Sequence, residues 1–170
     1  MNIRQINPND AERFVHLIKQ VESESQYMLY ESGERMMDPE HQVKRIAAMK
    51  EAGNSTIFVA EEKNVLIGYL IALGGNAKRN KHSVYVVIGI LSQYRGIGIG
   101  TKLFKHLEEW AANHNIHRLE LSVITSNEAG LQLYKKMGFE IEGTKRHSLY
   151  IDGEFVEEYY MSKLLVEFKE

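Results

Sequence analysis

The chain has 170 residues, 44% of them hydrophobic and 26% charged, which suits one domain with a full apolar core. Lys and Arg number 21 against 23 Asp and Glu, and the resulting net charge of −2 gives no support for a nucleic-acid or membrane-surface role. There is no cysteine, which excludes disulfides, thiolate nucleophiles and cysteine-ligated zinc. The stretch MNIRQINPND lacks the apolar segment of a signal peptide and no run of 18 apolar residues occurs, so a soluble, cytoplasmic protein is expected.

Residues 2–6 alternate and read as a short strand. A helix follows, capped by Asn7 or Asn9, with Phe14, Leu17, Ile18 and Val21 on its apolar face. Residues 23–37 mix aromatic and acidic side chains with weak periodicity and read as a loop containing a short helix. The next helix is sharply bounded, by Asp38 as N-cap, Pro39 in its first turn and Gly53 at its end. STIFVAEE and VLIGYLIALG form a hairpin around Lys63-Asn64. A basic loop, residues 77–82, precedes SVYVVIGIL (83–91), an apolar, β-branched run expected to be a buried central strand.

A helix spans about Gly98 to Asn113, with Leu103, Phe104, Leu107, Trp110 and Ala111 inward. HRLELSVIT is a strand, and SNEAGLQLYKKMG is a helix capped by Ser126 or Asn127 and stopped by Gly138. The chain closes on a hairpin, 139–151 and 154–166, around Asp152-Gly153. The order β, α, α, β, β, β, α, β, α, β, β gives one mixed α/β domain over 1–170 with crossover helices in its second half.

The most informative stretch is QYRGIGIGTKL, 93–103, with three glycines at alternate positions ahead of a helix. Ordered glycine costs backbone entropy, and a helix start stabilises anions through its unpaired N–H groups and dipole. The Walker A order fails, because Thr101 precedes Lys102. The dinucleotide fingerprint fails on spacing, G-x-G-x-G rather than G-x-G-x-x-G, although Glu120 lies 20 residues past Gly100. A tight loop with glycines needed only for turning is the plain alternative.

Q-x-x-G-x-G at Gln93, Gly96 and Gly98, overlapping R-x-x-G-x-G at Arg95, Gly98 and Gly100, resembles the acyl-CoA-binding loop of the GNAT superfamily of N-acetyltransferases. The order of elements is similar over almost the whole chain. So are SNEAGLQLYKKMGFEIEG, with Asn opening a helix that carries a Tyr, and LYIDGEFVEEYYMSKLL, which resembles the final hairpin of bacterial members acting on small amines or protein N-termini. Ser92 departs from the proline found there in many members.

The resemblance implies a mixed, mostly antiparallel sheet of about seven strands flanked by helices. It implies acetyl-CoA as cosubstrate without a metal, a small-molecule amine or peptide N-terminus as acceptor, and it allows a homodimer. On this reading backbone amides of residues 95–101 wrap the pyrophosphate, with Arg95 or Lys102 adding charge and Thr101 a hydroxyl. The cofactor residues are then Ile90, Leu91, Gln93, Arg95, Gly96, Ile97, Gly98, Gly100, Thr101 and Asn127.

Acetyl transfer needs deprotonation of the amine, a donor for the tetrahedral oxyanion and a proton for the leaving thiolate. The resemblance sets the acetyl group beside residues 87–91, where Gly89 fits a bulge or a close approach. An N–H near Ile90 is the oxyanion candidate. Tyr134, seven residues after Asn127 on the same helix face, is the candidate acid; a core aromatic beside Leu131 and Leu133 is the alternative, as a plain N-cap is for Asn127. Glu31, Glu34, His82, Glu120, His147 or a water chain could supply the base. His114 and His117 read as charge favoured at a helix C-terminus rather than as a metal site. The acidic stretch YESGER favours a cationic acceptor. A non-catalytic acyl-CoA-binding or interaction module remains the second function class.

Overall fold

The computed structural model describes residues 1–165, so the end of the last expected strand, at Val166, lies outside the described residues. The expected elements form in the expected order: β1 (Asn2–Gln5), α1 (Ala11–Glu24), α2 (Pro39–Ala52), β2 (Thr56–Glu62), β3 (Val65–Gly74), β4 (Ser83–Ile90), α3 (Ile99–Ala112), β5 (Arg118–Ile124), α4 (Glu128–Lys136), β6 (Glu140–Ile151) and β7 (Glu154–Leu164). Local chemistry accounts for the boundaries. Asp38 caps α2 by accepting from the Glu40 N–H, and Gly53 ends it in the left-handed region. Lys63-Asn64 and Asp152-Gly153 all have positive φ, as two-residue hairpin turns require.

The short helix expected within 23–37 does not form. Beyond the end of α1 at Glu24 the segment holds bends and one turn, in which the Glu31 N–H donates to the Glu34 carboxylate and the Glu34 N–H returns to the Glu31 carbonyl. Its serines and glycine offer the backbone local alternatives to helix.

All seven strands lie in one sheet, ordered β1-β2-β3-β4-β5-β7-β6. Pairing is antiparallel except between β4 and β5. Helix α1 packs on one face through Phe14, whose ring meets Tyr69 edge-on at 5.7 Å. Helix α3 packs on the other, burying Leu103, Phe104 and Leu107 completely. The central strand β4 departs from expectation: Val84 and Val86 are buried, but Tyr85 is exposed and Val87, Ile88 and Ile90 are only half-buried.

That partial burial marks the feature on which the site depends. β4 and β5 pair only at Ser83–Tyr85 with Arg118–Glu120. Beyond those three positions β4 stays with β3 as far as Ile90, while β5 stays with β7 as far as Ile124. Each strand keeps its outer neighbour and they part from one another, opening a cleft that runs toward the N-terminus of α3.

Candidate active site

The backbone of β4 supplies the first wall of the cleft. Leu91 N–H donates to the Ile67 carbonyl at 3.0 Å, and the antiparallel alternation then turns the N–H groups of Ile88 and Ile90 away from β3, into the cleft. Leu91 itself has no free backbone group, because its carbonyl accepts from Tyr94. Gly89 makes a close approach and not a bulge: a Cβ there would meet the Tyr69 ring at 2.7 Å, and β3–β4 pairing runs without a register shift.

The glycine segment supplies the floor. Gly96 and Gly98 sit at φ +77° and +88°, with open space where a Cβ would point, so glycine is required there by conformation. Gly98 caps α3, and the amides of residues 96–101 donate to nothing among the described residues. Together with the helix dipole they could hold an anion. Two details differ from the sequence reading. The Arg95 N–H belongs to a short 3-10 turn, donating to the Ser92 carbonyl, so the free run begins at Gly96. Gly100 has ordinary φ and is buried; its missing Cβ admits Leu133, which would stand 2.7 Å away, so this glycine joins α3 to α4. Gln93 and Ile97 are exposed beside the cradle, Ile97 at 62%, and Thr101 is half-buried in the first turn of α3. The Arg95 side chain folds back, its Nε donating to the Ile90 carbonyl at 3.0 Å.

Ser92 explains its own departure from proline. Its N–H donates to the Glu24 carboxylate at 2.7 Å, a bond that proline cannot make, and this ties the end of α1 to the loop. That bond, with one from Gln20, holds the Glu24 carboxyl below its ordinary range.

Helix α4 supplies the other wall. Asn127 caps it, Oδ1 accepting from the Gly130 N–H at 3.0 Å, which leaves the amide NH2 uncommitted. Tyr134 leans on Phe104 of α3 at 5.9 Å and on Phe139 at 6.1 Å. Its hydroxyl makes no hydrogen bond to any described residue. Burial, and secondarily Tyr85, push its phenol up to about 12, which keeps the proton on the oxygen throughout the physiological range.

The candidate bases scatter. His82 precedes β4 at the end opposite Ile90, roughly 26 Å along the strand at about 3.3 Å per residue. Glu120 is engaged by Arg118 at 2.9 Å, and Arg118 also binds Glu142. His147 stacks on Phe155 on the outermost strand. Glu31 and Glu34 are exposed, and the Glu34 carboxylate is spent on its own turn. His114 stacks on Trp110 at the far end of α3.

One charged cluster escaped the sequence reading. Glu22, 4% exposed, forms an ion pair with Arg35 from the α1–α2 loop, and Arg35 lies 4.2 Å over the Tyr30 ring. Burial and then the Glu22 charge drive the Tyr69 phenol far above its ordinary value. No local signal links residues 13 apart across an irregular loop. The only hint was a glutamate on the apolar side of α1.

The family model described as the acetyltransferase (GNAT) family matches residues 21–139. The L-amino acid N-acetyltransferase AaaT of Escherichia coli K12 is 31% identical over 100 residues, covering 58% of this chain and 62% of the relative. An N-alpha-acetyltransferase of Sulfurisphaera tokodaii is 36% identical over 109 residues, covering 59% and 65%. The chain thus spans less than two thirds of the length of these relatives. The crystal structure of a GNAT-family acetyltransferase from Streptococcus pneumoniae superposes with a TM-score of 0.93 at 28% identity, covering 96% of this chain and 98% of that one. With the cleft, the anion cradle and the family match in agreement, the chain belongs to the GNAT family of acetyltransferases.

Proposed function

We propose that this protein is an N-acetyltransferase that moves an acetyl group from acetyl-CoA to a primary amine by direct attack. The observation that carries this reading is the parting of β4 from β5 directly beside six uncommitted amides at the start of α3. A diphosphate suits those amides, which the glycines expose and the helix dipole reinforces by about 0.3–2 kcal/mol. A pantetheine arm suits the cleft, where the inward N–H groups of Ile88 and Ile90 and the free amide of Asn127 offer donors to its carbonyls.

The chemistry then divides among few groups. The amine lone pair attacks the thioester carbon. The inward N–H at Ile90 receives the developing oxyanion without reorganisation, because the strand already fixes it. As the C–S bond breaks, Tyr134 gives its phenolic proton to the sulfur. The amine sheds its proton to water, since the candidate bases among the described residues are committed elsewhere or distant from Ile90. Arg95 and Lys102 add positive charge at the loop.

The test is release of free CoA, followed with a thiol reagent, over a panel of amino acids, polyamines, aminoglycosides and peptide N-termini. Amine-dependent release above hydrolysis is expected. Tight acetyl-CoA binding with no release for any acceptor would favour the non-catalytic binding module.

A further inference from the structure

The charges of Glu22 and Arg35 both act on Tyr69, and Tyr69 lies against Gly89, the neighbour of the proposed oxyanion donor. The charges gathered there do not balance. Glu22 contributes one buried carboxylate. Arg35 contributes a guanidinium that binds Glu22 through one terminal nitrogen, while its Nε is buried with no partner among the described residues. Arg45, half-buried on α2, has no carboxylate within reach among the described residues. Burial and then the like charge of Arg35 hold the Arg45 guanidinium below its ordinary value. Two neighbouring guanidiniums thus stand with one buried carboxylate, and only Arg35 is paired with it. Buried charge is retained where it is paired, so the cluster lacks an anion.

Resting on the acetyltransferase reading, we infer that the acceptor carries a carboxylate close to its amine, and that Arg35 and Arg45 receive this carboxylate while Glu22 fixes Arg35 in place. The acceptor class is therefore a free amino acid or a close relative of one, not a polyamine. This reverses the expectation drawn from YESGER. The two glutamates of that stretch face solvent, and its arginine is the residue that turns inward. Arginine suits the task, because its planar fork matches a carboxylate in geometry as well as charge.

The test is calorimetry on protein saturated with CoA, so that no turnover occurs. The proteinogenic L-amino acids are titrated against the amines left by removing each α-carboxyl group. At least one amino acid is expected to bind tenfold or more tightly than its decarboxylated partner. Arg45→Gln is expected to bring that ratio to within threefold of unity. Its melting temperature should stay near that of the parent, because Arg45 leaves no partner behind. If no amino acid outbinds its amine, or if the preference survives Arg45→Gln, the inference is overturned. The CoA-release assay reads the other question separately. Turnover without carboxylate preference sinks this inference and leaves the activity; carboxylate-dependent binding without turnover does the reverse.

Discussion

Helix α1 has one buried acid at each end, and the two are treated differently. At the N-terminus Asp10, 1% exposed, meets Arg4 at 2.7 Å and Arg13 at 2.5 Å, and Glu61 on β2 binds both arginines, at 3.1 and 2.8 Å. Asp10 also accepts from the Asn7 N–H. Two acids face two bases and every carboxylate is satisfied. At the C-terminus Glu22 pairs with Arg35 alone, the neighbouring Arg45 has no carboxylate among the described residues, and the buried Nε of Arg35 finds no partner among them. The first arrangement clamps β1, α1 and β2 together and needs nothing more. The second is completed only by something that arrives. Charge balance, more than burial, separates scaffold from site here.

The largest loss is expected at the loop that the C-terminal end of α1 supports through Glu24. Gly98→Asp sets a carboxylate in the anion cradle at a left-handed position. Acetyl-CoA affinity should fall at least a hundredfold by calorimetry, with a melting temperature lowered only by the cost of positive φ, about 1–2 kcal/mol. Unchanged affinity in the folded variant would remove the pyrophosphate from this loop.

Tyr134→Phe keeps the packing on Phe104 and Phe139 and removes one proton donor. kcat should drop about a hundredfold, with acetyl-CoA affinity held within a few-fold. The pH profile sharpens this. A phenol is a donor only below its pKa, and burial has moved that pKa from 10 to about 12. The wild-type kcat should therefore show no falling limb between pH 7 and 10. A limb centred near 10, or a variant with normal kcat and a lowered melting temperature, would return Tyr134 to a packing role.

At the other end of α1 the expected losses are of stability alone. Asp10→Asn strips both arginines of their buried partner and should cost about 2–4 kcal/mol, discounted because the guanidiniums reach solvent. Acetyl-CoA affinity should not change. Asymmetry is the point: a weakened acetyl-CoA affinity in this variant would dissolve the distinction between the two ends.

The smallest effect is the pH dependence behind that clamp. The Arg4 hydrogen bond, chiefly, holds the Asp10 carboxyl at about 2, against an unfolded value of 3.8. A depressed acid stabilises the fold above its unfolded pKa. About 2 kcal/mol should therefore be present above pH 4 and be lost as pH falls toward 2. Acid titration of Asp10→Asn should lack this component; an identical acid profile would show that Asp10 does not supply it.

How much of this was legible beforehand follows the range of the interactions. Asp38-Pro39 and Gly53 bounded α2, and Lys63-Asn64 and Asp152-Gly153 set two hairpins, because each acts on its own backbone. The glycine segment was legible for the same reason. Sheet order was not: β7 inserts between β5 and β6, and nothing local in either strand states it. The cleft follows from that insertion, because β7 takes the outer edge of β5. Gly89 was legible as a bulge or a close approach and Gly100 as part of the binding surface, but the partners they answer to, Tyr69 and Leu133, are distant in sequence. The Glu22–Arg35 pair was hidden for the same reason.

Amide hydrogen exchange with and without acetyl-CoA reads the cradle and the clamp in one sample. Saturating acetyl-CoA should slow exchange across residues 88–101, most at Gly96 to Thr101, whose amides donate to no described residue, and leave residues 4–13 unchanged. Unaltered exchange across 88–101 under saturation, or protection centred on the Asp10 clamp, would contradict the account.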